Sequence, residues 1–245
     1  MSAPLKPFFG YFGSKAALAS RYPPPGNYLT LIEPFAGSAG YALRTPARQV
    51  LLCDTNPRIC GIWRYLIAAR ESELVRLPLL GPDSSVEDFA IPPEARDLIG
   101  FWLGRCLSSP RLRPSKWRRS GKWPSTFWGE NIRARIAAQV GAIRHWRVRC
   151  ASYETLPIVP ATWFIDPPYV GAGHRYRKSA SPVVHADLAL WCQQREGRVI
   201  VCEQLGADWL PFQPLATIRT VGGVSREVVW TKRAPLSQAP HHDDP

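Results

Sequence analysis

The sequence has no C-x-x-C pair; its six cysteines (53, 60, 106, 150, 192 and 202) are scattered. That scatter argues against a disulfide framework or a zinc site. The thiols read as small core fillers of a protein in a reducing cytoplasm. No apolar run is long enough to cross a bilayer, so no membrane partner is expected. The first residues, "MSAPLKPFFG", lack the apolar block of a secretory signal. Of the five histidines, two (His241 and His242) fall in the tail "APLSQAPHHDDP", which reads as disordered, and no metal site is expected. Acids are scarcest in the middle of the chain: residues 105–149 hold Glu130 alone, against twelve Lys and Arg.

That segment carries almost all of the net charge of +12, because residues 1–104 hold ten basic and nine acidic side chains and residues 150–245 hold nine of each. A solvated basic loop is the plain alternative. A positive block inside an otherwise balanced chain points instead to a polyanionic partner, most simply nucleic acid. With 245 residues, 45% hydrophobic and 20% charged, the chain is long enough for one domain with an insertion or two small ones.

Short apolar runs bounded by turn residues read as strands buried on both faces: "LTLIEPF" (29–35), "QVLLCD" (49–54), "VRCASY" (148–153), "TWFID" (162–166) and "RVIVCE" (198–203). "TIRTV" and "EVVWT", joined by "GGVSR", read as an antiparallel hairpin. Helices are expected at "SKAALAS", "NPRICGIWRYLIAAR" and "HADLALWCQQRE". Ile132, Ile136, Val140 and Ile143 form one more apolar stripe, with Arg133, Arg135, Arg144 and Arg147 mainly off it. The pattern predicts an α/β fold: a Rossmann-like, mostly parallel sheet closed by an antiparallel C-terminal hairpin. Residues 1–70 and 148–235 would form a catalytic domain, 71–147 an inserted, mainly helical and basic recognition domain, and 236–245 a disordered tail.

Chemistry gathers at strand ends. "LIEPFAGSAG" sets glycines after a strand and before an expected helix, a turn that lets backbone approach a ligand beside a positive helix end. The next strand ends at Asp54, about 14 residues on, where dinucleotide-binding folds place a ribose-binding acid. Helix capping before Pro57 is the competing role for Asp54, and Asn56 caps equally well. "GYFGSK" lacks the phosphate-loop pattern, since Ala16 follows Lys15. "WFIDPPYVGAG" ends an apolar run on Asp166-Pro167-Pro168-Tyr169, which alone suits a rigid turn as well as a site.

In order, "PFFGYFGSK", "EPFAGSAG", "LLCDTN", a basic insert, "FIDPPY", "VIVCEQ" and "REVVWTK" resemble the Dam-type (D12 class, alpha group) DNA adenine-N6 methyltransferases, from about Pro7 to Lys232. The resemblance implies S-adenosylmethionine as methyl donor and double-stranded DNA as partner, with a monomer expected in solution. It places Tyr11, Lys15, Glu33, Phe35, Gly37, Asp54 and Asp166 around the cofactor. Asp166, Pro167 and Tyr169 fall at the target amine. The chain departs from the family at Tyr11, where Trp is usual, at Ser14, where Gly is usual, and at Ser38-Ala39-Gly40, where Ala-Gly-Ser is commoner.

Adenine's exocyclic nitrogen is a poor nucleophile, so the enzyme's task is positioning and electrostatics. Asp166 would accept one N–H, the carbonyl of Pro167 the other, and Tyr169 would stack on a base flipped from the duplex. "LRPSKWRRSGKWPSTFW" interleaves basic residues with Trp117, Trp123 and Trp128, and Ser120-Gly121 suits a ribbon turn able to enter the major groove. Arg118, Arg119 and Lys122 are the candidates for DNA contact there, and core packing is the favoured reading of any single Trp. His174, Arg175 and Arg177, in the basic stretch after Tyr169, are candidates for gripping phosphates near the flipped base. Cytosine N4 or an RNA adenine shares the amine geometry, although "SPPY" is commoner for cytosine. A DNA-binding module with a decayed methyltransferase fold is the reading from another class.

Overall fold

A computed structural model describes residues 4–104, 107–115, 127–170, 183–220 and 223–232. The strands are β1 (Thr30–Glu33), β2 (Gln49–Asp54), β3 (Trp146–Cys150), β4 (Ala161–Ile165), β5 (Gly197–Gln204), β6 (Gln213–Thr220) and β7 (Gly223–Lys232). They form one sheet in the order β3-β2-β1-β4-β5-β7-β6. β1 to β5 run parallel, and β7 is antiparallel to both β5 and β6. The expected α/β architecture is present: a Rossmann-like, mostly parallel sheet with an antiparallel C-terminal hairpin. Strand order reverses between β1 and β4, and such switch points open a crevice at the carboxyl ends of the strands. The hairpin strands are longer than expected. β6 starts at Gln213, and β7 starts at Gly223, so most of "GGVSR" is strand.

Among the described residues the α-helices are α1 (Pro57–Ala68), α2 (Glu71–Leu74), α3 (Pro93–Phe101), α4 (Glu130–Gln139) and α5 (His185–Gln194). Asn56 caps α1, accepting the Arg58 N–H at 3.0 Å, and Pro57 takes the first helical position, where a missing N–H costs nothing. Alternation along the strands divides the core between two faces. Leu31, Leu52, Phe164 and Ile200 meet Trp63 of α1, Phe101 of α3 and Ile136 of α4. Ile32, Cys53, Trp163, Ile165 and Val201 meet Leu188, Trp191 and Cys192 of α5. Residues from the stretch 71–147 thus share a core with the sheet: Trp128, wholly buried, donates its indole N–H to the Pro78 carbonyl at 2.8 Å.

Two expected helices are absent. "SKAALAS" forms turns and only a single 3-10 turn at Ala19–Arg21. Seven residues seldom nucleate a helix, and here Ser14 is tied to Ser38 by a 2.8 Å hydroxyl contact. After the glycine turn the chain makes another 3-10 turn, Ala42–Arg44, instead of an α-helix. The crossover has to reach β2 by Gln49, and Pro46 disfavours helical backbone at Thr45. The N-terminal segment compensates by packing inward: Phe8 and Phe9 are wholly buried against Trp63, with ring centroids at 5.8 and 5.4 Å.

Candidate active site

The carboxyl ends of β1, β2 and β4 open on one cleft. Its lining includes Tyr11, Lys15, Glu33, Phe35, Gly37, Asp54 and Asp166, so every side chain expected near a cofactor faces one space. Pro168 also lines it. Pro167 is buried, and Tyr169 turns its hydroxyl away to Glu227. Arg118, Arg119, Lys122, His174, Arg175 and Arg177 lie outside the described residues.

The glycine turn is held from three sides. The Gly37 N–H donates to Asp54 Oδ2 at 2.9 Å, the Gly37 carbonyl accepts the Trp63 indole N–H at 2.8 Å, and Gly37 sits at φ +45° against the Tyr11 ring. A Cβ on Gly40 would lie 2.6 Å from the Ala16 nitrogen, so the segment carrying Lys15 crosses directly over it. Ala39 adopts φ +51°, a left-handed conformation that costs a non-glycine residue roughly 1–2 kcal/mol. Within the turn Ala36 donates to the Cys53 carbonyl at 2.9 Å and Ala39 to the Ala36 carbonyl at 2.6 Å; beside it Asp54 Oδ1 accepts from the Asn56 N–H at 2.8 Å, and Glu33 Oε1 accepts from the Ala42 N–H at 2.6 Å. Capping of α1 falls to Asn56, which leaves Asp54 to the cleft.

Under the cleft lies a buried ionic cluster. Lys15 Nζ is 2.8 Å from Asp166 Oδ1, donates to the Gly13 carbonyl at 3.0 Å, and lies 4.6 Å from the centre of the Tyr169 ring. Burial works against the ammonium, but the carboxylates of Asp166 and Glu227 outweigh it and hold the Lys15 pKa above its ordinary value. Burial pushes Asp166 up to about 6, with Lys15 opposing it. Burial pushes Glu33 up to about 8 despite its bond from Ala42. Burial likewise raises Asp54, against its backbone N–H bonds. The three acids are raised for one reason: they sit where sheet, glycine turn and N-terminal segment close on them.

Sequence reading missed two acids. Glu227 on β7 accepts from Tyr169 at 2.6 Å, from Tyr22 at 3.4 Å and from Ser225 at 3.3 Å. Glu203 ends β5 on the opposite face, wholly buried, and accepts the Val170 N–H at 3.3 Å and the Trp209 indole N–H at 3.0 Å. His185 lies 3.9 Å from Glu203 and 3.1 Å from the Pro168 carbonyl, so this group braces the chain leaving Asp166. Among the described residues, no cluster of His, Cys, Asp or Glu could hold a metal ion.

No protein-family model matches the chain, and no curated protein is similar to it in sequence. Solved structures are similar in shape. A conserved hypothetical protein of Streptococcus pyogenes is 11% identical over 83% of this chain and 86% of that one, with a TM-score of 0.39. The putative methyltransferase YhhF from Escherichia coli is 10% identical over 84% and 76%, at 0.35. The rRNA methyltransferase AviRa from Streptomyces viridochromogenes is 18% identical over 94% and 88%, at 0.41. Likeness at this level carries no chemistry; the residues of the cleft have to do so.

Proposed function

We propose that the chain transfers a methyl group from S-adenosylmethionine to the N6 amine of adenine in double-stranded DNA. The carrying observation is that Asp166 of Asp-Pro-Pro-Tyr, the glycine turn and Asp54 line one cleft at the switch point of the sheet. The cleft suits this cofactor chemically. Its lining sets Asp54 and Asp166 against Lys15, with Glu33 holding its proton at neutral pH, a balance that favours a sulfonium and an ammonium. Tyr11 and Phe35 offer flat apolar walls for a purine. A carboxylate has about four lone-pair sites, and Asp54 uses two of them on Gly37 and Asn56, so capacity remains for ribose hydroxyls. When bound, S-adenosylmethionine supplies an electrophilic methyl group.

The residues do the positioning. Lys15 grips Asp166 Oδ1 and fixes the carboxylate plane at the edge of the cleft. Asp166 accepts an N–H of the amine, which turns the nitrogen lone pair towards the methyl group. As the N–C bond forms, the nitrogen becomes acidic, and Asp166, with a pKa of about 6, can take up its proton at neutral pH. His185 and Glu203 hold the Pro168 carbonyl and Val170, which keeps the Asp-Pro-Pro-Tyr backbone in place. The basic segment 105–149 supports a polyanionic substrate.

The test is to incubate purified protein with isotopically labelled cofactor and either duplex DNA or RNA, then identify the labelled nucleoside by mass spectrometry. N6-methyladenine in DNA is the expected product. Label in N4-methylcytosine or in RNA would move the substrate but keep the chemistry. No label at all, together with no cofactor binding at millimolar concentration by calorimetry, would establish the decayed, non-enzymatic alternative.

A further inference from the structure

Two of the scattered thiols meet behind the cleft. Asp54, the last residue of β2, is the register partner of Cys150, the last residue of β3. The backbone carbonyl of Asp54 accepts the Ala151 N–H at 3.1 Å and the Cys60 thiol of α1 at 3.2 Å. Side chains alternate along a strand, so Cys150 shares a face with Trp146 and Val148. That face packs on α1, where Trp146 meets Trp63 with ring centroids 5.6 Å apart. Both thiols therefore lie on the α1 side of one carbonyl, in hydrogen-bonding reach of each other. Cys53 points to the opposite face and donates to the Ala151 carbonyl at 3.2 Å. Cys150 is exposed and Cys60 is buried. We propose that Cys60 and Cys150 are a modification site, which hydrogen peroxide closes into a disulfide, and that closure loosens the cofactor site at Asp54. The effect on the cofactor rests on the methyl-transfer reading above; the disulfide itself does not.

Position divides the roles. The thiolate is the reactive form, and Cys150 is the thiol that an oxidant in solvent can reach. Its sulfur attacks one peroxide oxygen, the O–O bond breaks, and the departing hydroxide takes a proton and leaves as water. Cys150 is then a sulfenic acid, the species that condenses with a neighbouring thiol. Burial and the contact with Cys150 hold the Cys60 pKa above its ordinary value, against the opposing charge of Arg64 one turn further along α1. Cys60 thus stays a thiol until its partner is oxidised. The Cys60 sulfur attacks the Cys150 sulfur, the S–O bond breaks, and hydroxide leaves with the Cys60 proton as a second water. Two thiols lose two electrons, and one hydrogen peroxide becomes two waters. A disulfide holds its sulfurs about 2 Å apart, closer than any non-bonded contact. Cys60 must therefore withdraw its bond from the Asp54 carbonyl, and the first turn of α1 moves with it. Asn56 caps that turn and donates its N–H to Asp54 Oδ1 at 2.8 Å, so the movement reaches the carboxylate that faces the cleft.

The experiment treats the full chain with hydrogen peroxide, alkylates the remaining thiols and maps the peptides by mass spectrometry without reduction. A Cys60–Cys150 bridge, lighter by two hydrogen atoms and reversed by dithiothreitol, is the expected result. Cys150→Ser, at an exposed position, should form no bridge from Cys60. Sulfenic or sulfinic acid at Cys150 with Cys60 alkylated, or a bridge to any other cysteine, overturns the pair. Calorimetry with S-adenosylmethionine reads the consequence. Oxidised wild type should bind about tenfold more weakly, as for one lost hydrogen bond to a charged group, and dithiothreitol should restore the affinity. Peroxide should leave the affinity of Cys150→Ser unmoved. Equal affinity of the bridged and reduced wild type overturns the coupling to Asp54. If neither form binds the cofactor, the methyl-transfer reading fails and the coupling with it, while the mass map decides the modification site on its own.

Discussion

Glu33 and Asp54 are acids at the ends of neighbouring strands, and burial raises both. For Glu33 the native carboxyl holds its proton to about pH 8, whereas an unfolded one releases it near 4.5. The native state binds more protons between those values, so stability falls as pH rises through that window and levels off above it. Glu33→Gln keeps an oxygen for the Ala42 N–H and removes the penalty. The variant is expected to match wild type near pH 4.5. Above pH 8 it should exceed wild type by a few kcal/mol, since each tenfold change in an acid constant is worth about 1.4 kcal/mol. Urea midpoints at both ends of the range check this, and parallel curves would sink it. Asp54 differs in that its bonds to Gly37 and Asn56 organise the cleft itself. Asp54→Ala should weaken S-adenosylmethionine binding at least tenfold by calorimetry, since two backbone donors lose their acceptor along with the proposed ribose contact.

Among the elements, the glycine turn and the segment over it behave as one unit. Gly40→Ala would drive a Cβ to within 2.9 Å of the Lys15 backbone. Backbone cannot rotate aside, so the change should cost about 1–3 kcal/mol and lower cofactor affinity by displacing Lys15 from Asp166. An unaltered urea midpoint with normal affinity would contradict that close approach. The arginines of the basic stretch divide in two. Arg144 donates to the carbonyls of Ile67 and Ala69 at the end of α1, Arg133 to Leu77 at 2.7 Å, and Arg135 to Pro7 at 2.9 Å. Arg144→Ala should therefore cost about 1–3 kcal/mol in a thermal or urea melt and leave DNA affinity within twofold. β1, β2, β4 and β5 were legible because each is a short apolar run with turn residues at its ends, whereas β3, expected over 148–153 and buried on both faces, is the edge strand Trp146–Cys150 with Arg147 and Arg149 exposed. The helix expected after the glycine turn was not legible, because the shortness of the crossover shows only once β2 is in place. Glu227 was invisible for a similar reason: an acid in an alternating strand reads as solvent-facing until the N-terminal segment packs over it.

At the scale of the whole molecule, the basic block of residues 105–149 is partly structural. Arg133, Arg135 and Arg144 serve backbone carbonyls, whereas Arg147 and Arg149 are exposed along the edge strand β3. Duplex affinity should fall linearly with the logarithm of salt, with a slope of about −0.9 per phosphate neutralised. Neutralising Arg147 and Arg149 together should make the slope shallower only if this edge meets DNA, while Arg133→Ala should leave it unchanged. Filter binding between low and physiological salt measures both, and a salt-independent affinity would remove the polyanion from the reading.

The ionic cluster under the cleft also sets a clock on biosynthesis. Tyr22 and Glu227 are 205 residues apart in sequence, and Lys15 is further still from that acid. At roughly 5–20 residues per second, Lys15 leaves the ribosome some ten to forty seconds, to order of magnitude, before the strand that shields it. The nascent chain must therefore carry an exposed ammonium and an unclosed sheet edge through most of its synthesis. It can acquire a competent cleft only once β7 has been inserted between β5 and β6.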